Sequence, residues 1–306
     1  MTRIIEVQNL YKAYGTTVAV DNISFNVDEG EIIGMVGPNG AGKTTTIECL
    51  EGIRKPDRGR IRVLGLDPLQ DAMALKLQTG MQLQQSNLPD RMKVWEALDL
   101  YSSFYPEPTD WHILIEQLGL EEKHNTPFAK LSGGQKQRLF VALALLPDPK
   151  LVFLDELTTG LDPQARHAIW DLIKSVREKG KTILLTTHFM EEAEKLCDRV
   201  VILDHGKVVA LDTPSALVHS LDSEERVFFS VEGQLPSDFD ALFSTIGRVE
   251  KNGAQVIING KSDDIPLVLA VVTLLAERKI KFRDFRTEQT NLEDVFLELT
   301  GRSMRE

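Results

Sequence analysis

Ile32-Ile33-Gly34-Met35-Val36-Gly37-Pro38-Asn39-Gly40-Ala41-Gly42-Lys43-Thr44-Thr45 decides the fold. Five residues, apolar but for one glycine, read as a buried strand. A glycine-rich loop follows, and the run from Thr44 to Gly52 has the spacing of a helix. The loop satisfies G-x-x-x-x-G-K-[ST] in the context that gives the motif meaning, strand before and helix after. Glycines at 37, 40 and 42 let the backbone fold tightly enough for successive N–H groups to converge on phosphate oxygens. The positive end of the helix dipole adds to that field. Lys43 is positioned to reach β- and γ-phosphates, and the Thr44 hydroxyl to ligate Mg²⁺. Gly37, Pro38, Asn39, Gly40, Ala41, Gly42, Lys43, Thr44 and Thr45 are therefore the candidate phosphate cradle.

Outward from this loop, apolar runs of strand length alternate with helical patterns: Ile4–Val7, Val18–Val27, Ile61–Leu64, Leu151–Leu154, Thr182–Thr186 and Val200–Leu203 as strands, with helices over Val94–Phe104, Trp111–Leu118, Gln135–Leu146 and Pro163–Glu178. Such alternation predicts an α/β core with a largely parallel sheet. Leu151-Val152-Phe153-Leu154-Asp155-Glu156 is its second chemical anchor. Four apolar residues deliver two carboxylates to the C-terminal edge of a buried strand, where open α/β sheets bind ligands. Asp155 is expected to hold Mg²⁺ and Glu156 to act as general base or to orient the attacking water.

Composition bounds the rest. The 306 residues suit about two domains. Thirty-five basic against 46 acidic residues give a net charge of −11, the wrong sign for an electrostatic nucleic-acid binder. The longest nearly apolar stretch, Ile265–Ala276, has 12 residues, and a bilayer span needs about 20. No secretory leader is legible in the first residues, so a cytoplasmic location is expected. Cys49 and Cys197 lack metal or CxxC spacing and read as buried, reduced thiols.

Leu131-Ser132-Gly133-Gly134-Gln135 opens a helix 20 residues before Asp155. With it, the chain resembles the nucleotide-binding subunits of ABC transporters. Read on its own, the pentapeptide is also a loop-to-helix junction with Ser132 as cap. The resemblance implies a P-loop ABC cassette: a RecA-like core with an antiparallel β subdomain and a helical subdomain at about 85–147, all within residues 1–221. It implies that Tyr14 stacks on adenine and that Gln84 touches Mg²⁺ and the attacking water while sensing the membrane partner. Asp162, in Thr159-Gly160-Leu161-Asp162, resembles the acid of the loop that crosses a dimer interface, and His188 the switch histidine that contacts the γ-phosphate. Ser132, Gly133, Gly134 and Gln135 would serve an ATP held by a second subunit, so the implied assembly is a head-to-tail homodimer with two ATP and Mg²⁺, bound to a separate polytopic permease at the cytoplasmic membrane face and to no nucleic acid. The family usually has proline after the catalytic acid; Leu157 departs from that without removing a ligand.

Beyond the polar stretch Asp222–Arg226 the order is strand 227–231, helix 238–246, strands 248–251 and 254–258 around Asn252-Gly253, helix 265–277, strand 281–285 and helix 292–299. That order predicts a small ferredoxin-like α+β domain over residues 222–306. Asn291–Arg302 resembles the terminal signature of ATPase subunits of ABC-2-type exporters; read as a helix it places Leu292, Val295, Phe296 and Leu299 on one apolar face. Two rival functions stand beside a transport ATPase: a soluble ABC protein acting on DNA or ribosomes, and a regulatory small-molecule sensor in residues 222–306.

Overall fold

The computed structural model describes residues 2–82, 87–221, 225–232, 236, 238–253, 255–260, 266–288 and 290–301. They form two compact units, Met1–Ser215 with Phe296–Glu306, and Ala216–Val295. The division thus falls a few residues before the expected 221/222 boundary, and the end of the chain groups with the first unit.

In the first unit, β1 (Arg3–Tyr14) and β2 (Thr17–Asp28) form a long antiparallel hairpin, followed by β3 (Ile32–Val36), helix α1 (Lys43–Leu50) and β4 (Arg58–Val63). A short helix α2 (Ala72–Lys76) leads into β5 (Thr79–Gln82). The helical segment comprises α3 (Val94–Ser102), α4 (Trp111–Gln117) and α5 (Gly133–Leu145). The α/β pattern then resumes with β6 (Leu151–Asp155), α6 (Pro163–Glu178), β7 (Thr182–Thr187), α7 (Met190–Leu196), β8 (Arg199–Asp204), β9 (Lys207–Asp212) and α8 (Pro214–Ser220).

Two sheets result. A three-stranded antiparallel sheet has the order β2-β1-β4, and a six-stranded sheet the order β5-β6-β7-β3-β8-β9. All neighbours in the larger sheet are parallel except β9 against β8. Strands β3 and β6 are buried along their whole length, as strands covered on both faces must be. One apolar cluster is shared by the two sheets and α1: Ile5, Leu10 and Ile23 from the hairpin meet Ile33, Met35, Ile47, Leu50 and Phe153. Both cysteines are buried free thiols, and burial pushes each thiol pKa up, that of Cys49 to about 11.

Strands β5 and β9 were not anticipated. Thr79-Gly80-Met81-Gln82 has no apolar alternation, and it is buried because α5 packs directly on it: a Cβ on Gly80 would stand 2.0 Å from the Ala144 carbonyl oxygen. Strand β9 returns from β8 through the His205-Gly206 turn, where both residues have positive φ.

The second unit contains β10 (Glu225–Val231), α9 (Phe239–Phe243), β11 (Arg248–Asn252), β12 (Gln255–Gly260), α10 (Leu267–Glu277) and β13 (Phe282–Glu288). Its sheet has the order β11-β12-β10-β13, with every pair antiparallel. Phe229 is central, with the rings of Phe239, Phe243, Phe282 and Phe285 at 6.2–6.4 Å. The division between units passes through the last helix, α11 (Leu292–Thr300). Leu292, Val295 and Phe296 are buried there, whereas Leu299, on the same face but in the last turn of the helix, is 47% exposed.

Candidate functional site

Strand order explains why distant motifs meet. β6, β7 and β3 are adjacent and parallel, so their C-terminal ends lie side by side. β3 delivers the Gly37–Thr44 loop, β6 delivers Asp155 and Glu156, and β7 ends just before His188. This is the sheet edge at which α/β folds hold ligands.

The loop is shaped by backbone requirements. Gly42 precedes α1 at φ 101°, and no side chain caps the helix. A Cβ at Gly42 would stand 2.4 Å from the Ala19 carbonyl oxygen, so the β1–β2 hairpin presses directly on the loop. Lys43 is 4% exposed and donates to the carbonyls of Gly37 (2.7 Å) and Pro38 (3.1 Å). Its ammonium lies 3.7 Å from Glu156 Oε1, and His188 Nδ1 lies 3.5 Å from the same oxygen. Burial holds the Lys43 pKa below its usual value, against the opposing pull of Glu156 and Asp155. Burial likewise raises the pKa of Asp155, while hydrogen bonds from the Thr186 and Thr44 hydroxyls and the charge of Lys43 counter it.

Glu156 has φ +50°, a left-handed conformation rare outside glycine. Its N–H donates to the Thr186 carbonyl (3.2 Å) and hydroxyl oxygen (3.1 Å), and Thr159 Oγ1 donates to its carboxylate at 3.3 Å. Leu157, where proline is usual, is buried. Proline there would disfavour helical backbone at the residue before it.

The remaining candidates lie elsewhere on the first unit. Tyr14, at the hairpin end of β1, is 41% exposed, with the Arg54 guanidinium 5.3 Å and the Lys12 ammonium 5.5 Å from its ring centre. Ser132 caps α5 in a full capping box: Gln135 N donates to Ser132 Oγ at 3.3 Å, and Ser132 N to Gln135 Oε1 at 3.0 Å. The two N–H groups at Gly133 and Gly134 have no intrahelical partner. Asp162 caps α6, accepting from Ala165 N at 2.9 Å. These two helix starts are neighbours, since a Cβ at Gly133 would lie 3.1 Å from Leu161 Cδ2. Gln84 lies outside the described residues.

Three participants escaped the sequence reading. Thr186 anchors both carboxylate residues, and its signal was a hydroxyl at the ligand-facing end of an apolar strand. Glu192 is 2% exposed and accepts from Thr158 Oγ1 and Trp170 Nε1, both at 2.8 Å. Glu51, the residue ending α1, is buried with neither carboxylate oxygen hydrogen-bonded. Burial and the nearby charge of Asp155 push its pKa up to about 8.

A family model described as ABC transporter matches residues 20–159, the span holding the loop, the Ser132 helix and the β6 carboxylates. The Nod factor export ATP-binding protein I of Ralstonia nicotianae is 38% identical over 311 aligned positions, covering 100% of this chain and 96% of the relative. The chain belongs to the ABC transporter ATP-binding family. Solved structures agree on the cassette fold. An ATP-binding subunit of an ABC transporter superposes with a TM-score of 0.64 at 31% identity, over 71% of this chain and 92% of that one. A dimeric ABC cassette in a post-hydrolysis state, bound to ADP and phosphate, gives 0.62 at 26% identity, over 68% and 98%. This chain is therefore an ABC ATPase, an ATP-binding subunit of a transporter, and the reading of it as a nucleic-acid or ribosome ATPase has no support. Among the described residues no helix is long and apolar enough to cross a membrane.

Proposed function

We propose that this ABC ATPase hydrolyses Mg²⁺-ATP between two copies of the chain and so drives export through a separate membrane permease, to which it binds at the cytoplasmic face. The observation that carries the catalytic part is the meeting of Lys43, Asp155, Glu156 and His188 at the ends of three adjacent strands. A triphosphate entering this cradle draws the Lys43 ammonium from the Gly37 and Pro38 carbonyls onto its β- and γ-oxygens. Glu156, released from that ammonium, accepts a proton from water as the water oxygen bonds to the γ-phosphorus. The bond to the β-phosphate oxygen breaks, and ADP leaves with the electron pair. His188 contacts the γ-phosphate, and Tyr14 stacks on adenine.

Thr44 and Asp155 fit Mg²⁺: both are oxygen donors, already joined by a hydrogen bond, and Asp155 is a buried carboxylate held mainly by hydroxyls. Gln84 is a further candidate ligand on the resemblance alone. When bound, Mg²⁺ neutralises phosphate charge and aligns the β- and γ-oxygens.

The second copy supplies what one chain leaves open, with the free N–H groups of Gly133 and Gly134 and the helix dipole of α5 facing the γ-phosphate. A solved relative is a dimer, which supports this arrangement. Export is supported by the likeness to the relative from Ralstonia nicotianae, an export ATP-binding protein. A permease surface is offered by exposed Met73 and Leu77 at α2 and by exposed Leu100 and Phe104 at α3, helices on either side of the Gln84 stretch in the sequence. For the second unit we infer a ferredoxin-like accessory domain, supported by its β-α-β-β-α-β order and by the sheet order above.

The test of the catalytic reading is Glu156→Gln. ATP binding should stay within about twofold and turnover should fall by about 10² or more, the scale of general-base loss. Undiminished hydrolysis would refute the role of Glu156.

A further inference from the structure

Glu156 and His188 face each other at 3.5 Å, yet they belong to different segments. Glu156 begins the loop between β6 and α6, whereas His188 sits between β7 and α7. Their separation is therefore set by whatever ties those segments together behind the site.

The bonds from Glu156 N to Thr186 are one such tie, and a buried oxygen supplies another. Glu192 lies four residues after His188, in the first turn of α7, where a carboxylate is favoured by the helix dipole. Its Oε1 accepts from Thr158 Oγ1, two residues after Glu156, and from Trp170 Nε1 in the middle of α6. All three residues are at most 3% exposed. The contacts close a ring that runs from Glu156 through Thr158 and Glu192 to His188 and back to Glu156. A buried carboxylate with its donors in place is rigid, and removing one donor leaves it undersatisfied.

We propose that Glu192 is a positioning residue, acting through Thr158 to hold Glu156 and His188 at their working separation. This rests on the catalytic reading of Glu156 given above. The two donors have different duties. The Thr158 bond reaches the catalytic loop, while the Trp170 bond anchors α7 to the scaffold. A Thr158→Val change removes the hydroxyl with little change in volume, and Trp170→Phe removes the indole N–H.

The test measures ATP turnover, nucleotide affinity and melting temperature of the purified full-length chain for Thr158→Val, Trp170→Phe, Glu192→Gln and Glu156→Gln. Thr158→Val should lower kcat about tenfold with KM for ATP changed less than about twofold, the pattern of an interaction lost in the transition state. Trp170→Phe should lower the melting temperature and keep kcat within about twofold. Glu192→Gln, which keeps an amide oxygen for both donors, should hold kcat within about threefold of wild type. Adding Thr158→Val to Glu156→Gln should cost no further turnover. Wild-type kcat in Thr158→Val would overturn the proposal, as would equal kcat losses in the threonine and tryptophan variants that track their melting temperatures. If Glu156→Gln itself hydrolyses ATP normally, the catalytic reading falls; if it is inactive and Thr158→Val is not impaired, only the positioning role falls.

Discussion

Helices α1 and α5 both begin at glycine-rich turns, yet the two starts are built differently. α1 follows Gly42 in a left-handed conformation with no side-chain cap, and its lysine is folded back onto loop carbonyls. α5 follows Ser132, which completes a reciprocal capping box with Gln135. The first start is closed over by its own chain: the hairpin touches it through Ala19, and Glu156 lies within ion-pair range of Lys43. The second is completed by its own side-chain cap, with Gly133 exposed and Gly134 half-buried. In the function proposed above, the first is half of a binding site and the second serves a phosphate held by the other copy.

Substitutions at the two starts separate these roles. Gly42→Ala should be the most damaging, because the methyl group must adopt φ 101° and meet a backbone oxygen at 2.4 Å. A left-handed alanine alone costs ~1–2 kcal/mol, and the clash adds to it. The expected result is a clear drop in melting temperature together with loss of fluorescent-nucleotide binding. Ordinary nucleotide affinity in that variant would mean that the loop does not cradle phosphate.

At the opposite end of α1, Glu51 offers a pH test. Its folded pKa is raised to about 8, whereas in the unfolded chain it ionises near 4.5. The native state thus holds more protons between those values, and this group's contribution makes stability fall as pH rises through that window. Glu51→Gln removes the dependence. Its advantage over wild type in chemical denaturation should grow from pH 5 to pH 8, reaching a few kcal/mol, about 1.4 per pKa unit. A gap that stays flat with pH would show that Glu51 ionises normally in the folded protein.

The smallest effect on folding is expected at α5. Ser132→Ala loses the cap, worth ~1 kcal/mol, and leaves nucleotide affinity of the single chain unchanged. If affinity falls with the cap, α5 serves its own chain's nucleotide, and the contrast between the two helix starts fails.

Both starts were legible in the sequence, because each is a local motif whose meaning depends on its immediate neighbours. The parallel sheet was legible for the same reason: strands such as Leu151–Leu154 are continuous apolar runs between helical patterns. Strand β5 was not, since its burial comes from the approach of α5 at Gly80, which no local pattern announces. Strand β9 had a usable signal in His205-Gly206 between two apolar runs. The bonds made by Thr186 and Glu192 depend on which strands and helices become neighbours, and residues 22 to 34 apart carry no shared period. Asp162 and Ser132 read as site residues by resemblance; the Ser132 cap was legible as well and is present, and the structure adds that Asp162 caps α6.

The central claim is that ATP is held between two copies of this chain. The direct measurement is the molar mass of Glu156→Gln in solution, by light scattering, with and without saturating Mg²⁺-ATP. A nucleotide-dependent shift from one chain to two is predicted, reversed when Ser132→Arg is added to block the approach of a second copy's phosphate. A single-chain mass with nucleotide bound, in the presence of its permease as well, would contradict the account.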